Sequence, residues 1–189
     1  IVARRYGAGA LGVMAYFMSF SQMLAILVLF GSDSAILRLI PESEVRSGPT
    51  GGRRVYLHAV LLITIVFVPI AAAIVLGAPG FARVLVGKPE WTHIYRQATV
   101  GVFAIALLTL NASALRSFGR IAAFAAFGIL PLAVILLAIA LPSLGGAYLP
   151  PVFLYIYGNA LVALASVVFV FARALPSRHS RPVPESASP

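Results

Sequence analysis

Residues 121–172 read IAAFAAFGILPLAVILLAIALPSLGGAYLPPVFLYIYGNALVALASVVFVFA, without one Asp, Glu, Lys or Arg. A helix needs roughly 20 apolar residues to cross a bilayer core of about 30 Å. The run is therefore too long for one span. Pro142-Ser143-Leu144-Gly145-Gly146 and Pro150-Pro151 divide it, because proline and glycine end helices and mark turns. The division predicts spans at about 121–141, with Pro131 inside, and about 152–172.

Working back along the chain, three further windows lack charge: 6–32, 55–82 and 97–115. They predict spans at about 11–30, 56–76 (with Pro69 inside) and 99–115. A soluble chain of 189 residues leaves most side chains near water and cannot hide this much apolar surface. Mean hydropathy of +1.01, with 61% hydrophobic and 10% charged residues, leads to the same place. In lipid only helices or closed barrels satisfy the backbone, and these runs lack the alternation of barrel strands. The expected fold is all-α: a polytopic transmembrane helix bundle with five complete spans. Ile1 is not an initiator methionine, so Ile1-Val2-Ala3 reads as the end of an earlier span.

The net charge of +9 would suggest nucleic acid in a soluble chain. In a membrane chain it follows from arginines collecting in cytoplasmic loops, so no nucleic-acid partner is expected. Nine basic residues fall on one side (Arg38, Arg46, Arg53, Arg54, Arg116, Arg120, Arg173, Arg178, Arg181) and five on the other (Arg4, Arg5, Arg83, Lys88, Arg96). The larger set marks the cytoplasmic face. The segment 31–55 is then an internal loop with a Gly48-Pro49-Thr50-Gly51-Gly52 turn. Residues 79–97 and 142–150 become external loops, with Trp91 and Tyr95 suited to an interfacial belt. Residues 1–173 form the membrane domain. Residues 174–189, rich in Pro, Ser and Arg, have no core-forming side chains and read as a disordered tail or linker.

Little here could do bond chemistry. The acidic residues Asp33, Glu42, Glu44, Glu90 and Glu185 all avoid the span centres, and His58, His93 and His179 are scattered. No HExxH pair, phosphate loop or nucleophile elbow occurs. No catalytic residue, metal site or cofactor is assigned, and there are no cysteines. Polar residues at membrane depth are the remaining signal, since they face either a partner helix or a polar passage. They are Gln22, Asn111 and Asn159. Arg38 reads two ways. If the first helix runs on to Ile40, Arg38 stands at the cytoplasmic mouth and can grip a phosphate; otherwise it snorkels and pairs with Asp33 or Glu42. Arg116 and Arg120 bracket a short turn, as topology anchors or cargo contacts.

Three stretches carry a family resemblance. Ala3-Arg4-Arg5-Tyr6-Gly7 through Gly12, Ala35-Ile36-Leu37-Arg38-Leu39-Ile40-Pro41-Glu42, and Leu115-Arg116-Ser117-Phe118-Gly119-Arg120 occur in order. This pattern resembles the N-terminal six-helix lobe of O-antigen-type polysaccharide flippases, within the multidrug and oligosaccharidyl-lipid exporter superfamily. The resemblance implies half of a two-lobed exporter of twelve or more helices in the bacterial inner membrane. It implies a lipid-linked oligosaccharide as cargo, a second lobe as partner, and Arg38, Arg116 and Arg120 near the cavity. Pro41 departs from the family, which often has alanine there. The rival expectations are a multidrug or small-metabolite antiporter, a membrane polymerase or acyltransferase fragment, and a scaffold subunit.

Overall fold

The structure, a computed structural model, describes the backbone of residues 2–140 and 151–174. Six helices follow in order: α1 (Val2–Leu29), α2 (Ser32–Ser47), α3 (Pro49–Leu85), α4 (Thr92–Ser117), α5 (Ile121–Ala140) and α6 (Pro151–Phe169). A 3-10 turn at Pro89–Trp91 precedes α4, and a π turn at Val170–Ala174 ends α6. Every regular element among the described residues is helical.

Four stretches are long and apolar enough to cross a membrane: Leu11–Leu29, Thr50–Leu85, Pro89–Ser117 and Pro151–Ala172. The remaining expected span is α5, where the described apolar stretch, Ile121–Leu137, is shorter. These are the features of a membrane protein. The expectations for the 142–150 connection and for a disordered tail fall on residues outside the described ones, apart from the backbone of Ala174.

The bundle is built around α4. Of its apolar window 61% is buried, against 11–44% in the other three. It packs on α1, α2, α3, α5 and α6. Small side chains make this possible: Ala98, Gly101, Ala104, Ala106 and Ala114 are buried and let neighbouring backbones approach. At Gly101 an added Cβ would already touch Ile156 of α6 at 3.4 Å.

The segment 31–55 is a helical hairpin rather than a loop. Phe30 (φ 45°) and Gly31 (φ 76°) turn the chain out of α1, so the first helix does not run on to Ile40. Helix α2 then forms because Ile36 and Ile40, one turn apart, bury almost completely in the main core with α3 and α4 side chains. That burial offsets Pro41, which removes one hydrogen bond from the helix at about 3 kcal/mol. The expected Gly48–Gly52 turn shrinks to Gly48 alone (φ 67°). Pro49 is the first residue of α3, a position that wastes no N–H. Gly51 and Gly52 lie inside the helix, where α2 passes too close for a side chain: a Cβ on Gly51 would strike the Ser43 carbonyl oxygen.

Helix α3 has 37 residues, about 55 Å, well beyond a bilayer core. It also leans on α4. Phe67 stacks near Phe103 and Phe81 near Tyr95, so fourteen residues of α3 (81 − 67) cover the distance taken by eight of α4 (103 − 95). The external loop expected at 79–97 is reduced to residues 86–91, because α3 continues through Pro79. Tyr95 is not a belt residue. It is fully buried, its hydroxyl 2.7 Å from that of Tyr16, among Phe17, Phe20 and Phe81. Trp91 lies half-buried beside Phe17, with the Lys88 ammonium 5.1 Å from its ring.

Candidate functional site

The sequence-chosen residues separate into three places. Asn111 lies in the interior, fully buried on α4. Its carbonyl oxygen accepts from the Tyr56 hydroxyl of α3 at 2.8 Å, and its amide donates to the Ser166 hydroxyl of α6 at 2.8 Å. Ser166 in turn donates to the Ala163 carbonyl at 2.7 Å. Of the two readings open to Asn111, the observed geometry is an interhelical clamp joining three helices. Tyr56 and Ser166 carried no signal of their own in sequence, since each lies 55 residues from Asn111.

Gln22 and Asn159 come together. Both line a groove of about 310 Å3 formed by α1, α4, α5 and α6. Thr109 and Tyr155 share its wall, while Met14, Met18, Phe127 and Ile135 supply apolar surface. Gly128 leaves open space on the α5 side, and Pro131 lies on the same wall, in a helix that continues through it. Asn159 donates to the Tyr155 carbonyl of its own helix at 2.8 Å, and Thr109 to that of Ile105 at 2.9 Å. Neither is spent on a neighbouring helix. Gln22 is exposed at the groove edge, and no charged side chain lines it.

The arginines gather at one end of the bundle. Arg38 is exposed on α2, with its Nε 3.9 Å from Glu42, which pairs more closely with Arg46 at 2.9 Å. Glu42, not Asp33, is therefore its partner. Exposed pairs of this kind contribute at most about 1 kcal/mol. Arg116 and Arg120 flank the turn at Gly119 (φ 70°), closed by the Arg120 N–H on the Leu115 carbonyl at 2.8 Å. The Ser117 hydroxyl reaches the Ile36 carbonyl at 3.3 Å, and Phe118 abuts Gly52, so the turn is pinned against the α2–α3 hairpin. The basic end and the uncharged groove have no lining residue in common.

Among the described residues no three His, Cys, Asp or Glu side chains cluster. His58 and His93 each bond a backbone carbonyl at 2.7 Å, from Arg54 and Glu90. Described residues line two other openings. One of about 400 Å3 lies between α1 and the Val86–Trp91 connection, and one of about 290 Å3 lies between α2 and α3. No family model matches this chain, and neither a curated protein nor a solved structure does.

Proposed function

We propose that the chain is one lobe of an exporter that carries polyprenyl-diphosphate-linked oligosaccharide across the bacterial cytoplasmic membrane. The observation that carries this reading is the groove holding Gln22 and Asn159. It is a polar strip on an otherwise apolar wall, open between helices and free of charged side chains. Such a surface offers hydrogen bonds to sugar hydroxyls while its apolar sides admit a hydrocarbon tail. Arg38, carried on the separate helix α2 and held only loosely by Glu42, is exposed at the basic end with Arg116 and Arg120, and guanidinium groups there suit a diphosphate, which they hold bidentately. A multidrug or metabolite antiporter coupled to protons would want a carboxylate within a span. The described acidic residues are Asp33, Glu42 and Glu44 on α2 and Glu90 in the α3–α4 connection.

The test is translocation of a labelled polyprenyl-diphosphate oligosaccharide in proteoliposomes containing the protein in its full reading frame. Replacing Gln22 and Asn159 together by leucine is expected to slow it about tenfold, the factor for 1.4 kcal/mol of lost interaction. Arg38→Ala is expected to reduce uptake from the basic side by about as much. Unchanged flipping in both variants, at equal protein levels, would discard the reading.

A further inference from the structure

The groove that holds Gln22 and Asn159 is richer in acceptors than in donors, because several of its protons are already committed. The Asn159 atom 2.8 Å from the Tyr155 carbonyl is the amide nitrogen, since that carbonyl can only accept. Oδ1 therefore lies on the other side of the amide. No hydrogen bond from a described residue reaches it. The unpartnered side-chain atoms that packing seals off are Ser21 Oγ, Ser32 Oγ, Gln97 Oε1 and Thr99 Oγ1; Asn159 Oδ1 is not one of them. It is an accessible acceptor on the groove wall. Thr109 gives its proton to the Ile105 carbonyl at 2.9 Å, which leaves the lone pairs of its oxygen. Pro131 has no N–H for the Phe127 carbonyl one turn back, and both residues line the α5 wall. Gln22, Tyr155 and the second Asn159 amide hydrogen can still donate.

That balance separates ligand classes. A carboxylate, sulfate or phosphate only accepts, and no Lys or Arg lines the groove to pair with it. Taking an unpaired ion out of water costs far more than taking out a hydroxyl. An ammonium meets the same cost, since no Asp or Glu lines the groove either. A sugar hydroxyl donates and accepts at one atom without charge, and Met14, Met18 and Phe127 offer apolar surface to the C–H face of the ring.

We infer that the groove selects an uncharged sugar ring over a uronic acid, with the Asn159 and Thr109 oxygens accepting from its hydroxyls. The cargo that would carry such a ring rests on the exporter reading; the binding preference does not. At about 310 Å3 the groove is at the small end of ligand sites, roughly 300–1,000 Å3, which suits one ring at a time.

The 189-residue chain has no cysteine, so Gly128→Cys puts its one thiol on the groove wall, where nothing lies within 4 Å of the added Cβ. The protein in its full reading frame, in nanodiscs, is treated with N-ethylmaleimide, and modification is read on the peptide carrying residue 128. Ala112→Cys, on the α4 wall, gives a second position. Hexyl β-glucoside is expected to protect the thiol, and hexyl β-glucuronamide, which is neutral, to match it. Hexyl β-glucuronide should need about tenfold more, and hexanol and hexylammonium should not protect. Thr109→Val and Asn159→Leu should each weaken glucoside protection about fivefold. Gln22→Lys brings a cation to the groove edge and should make the glucuronide the better protectant.

Equal protection by glucoside and glucuronide, or none by either, overturns the inference. So does a glucuronamide that fails like the acid, or hexanol or hexylammonium that protects like the glucoside. The exporter reading is judged apart, by translocation of matched lipid-linked cargoes ending in a hexose or a hexuronic acid. Selective protection with neither cargo crossing keeps the selectivity and ends that reading. Equal crossing of both, with equal protection, keeps the reading and ends the selectivity.

Discussion

Asn111→Leu is expected to lower stability by about 1–3 kcal/mol, the cost of leaving buried polar partners unsatisfied. Leucine has nearly the shape of asparagine, so the loss is not a cavity. It comes from stranding the Tyr56 hydroxyl, which gives its proton to Asn111, and from removing the donor to Ser166. The triple variant Tyr56→Phe, Asn111→Leu, Ser166→Ala should recover most of the loss, because no polar atom of the clamp is then left to be satisfied. Interhelical hydrogen bonds in membranes average about 0.6 kcal/mol each, so the clamp itself is worth little net and its half-broken forms are the costly ones. Unfolding of the three single variants and the triple in mixed micelles checks this. A triple variant less stable than Asn111→Leu would refute it.

Gly51→Val should have the second large effect. An ideal Cβ at Gly51 strikes the Ser43 carbonyl oxygen and comes within 2.9 Å of its carbon and 3.2 Å of the Ser47 Cβ. Backbone cannot step aside as a side-chain tip can, so overpacking costs about 1–3 kcal/mol for one methyl and more for valine. The strain falls on the α2–α3 hairpin, and its expected sign is faster tryptic cleavage at Arg46, Arg53 and Arg54. Gly80→Ala is the contrast. Nothing lies within 4 Å of its Cβ, and in mid-helix the change should be neutral or stabilising by up to about 1 kcal/mol. Equal protease resistance of Gly51→Val and the parent would show that the hairpin tolerates separation.

The helices of the bundle were legible because lipid excludes charge, and the charge-free windows at 6–32, 55–82, 97–115 and 121–172 carry that exclusion openly. Helix α2 was not legible for the converse reason. Its Asp33, Arg38, Glu42 and Arg46 hide an Ile36–Ile40 stripe, and Pro41 with the nearby Gly-Pro pair looks like punctuation. Glycine has two uses that a sequence does not separate: Gly48 turns the chain, whereas Gly51 and Gly52 let another helix come near. Among the site residues, Gln22 and Asn159 stood out as polar groups in apolar surroundings, but their shared groove depends on how α1 and α6 meet α4.

The contrast between α3 and α4 bears on how the chain enters a membrane. Helix α3 is the most apolar of the four stretches long and apolar enough to cross a membrane and is only 11% buried, so lipid alone would suffice as its surroundings. Helix α4 is far less apolar, carries Asn111, Thr99 and several alanines, and needs protein on most of its circumference. During synthesis α3 can partition as an independent anchor, whereas α4 emerges ahead of α5 and α6, which complete its cover. Its early neighbours are α1, α2 and α3, which already line much of it. Assembly thus has a direction: the first half of the bundle acts as a cradle for a helix that the bilayer would receive poorly, and α6 closes the clamp last.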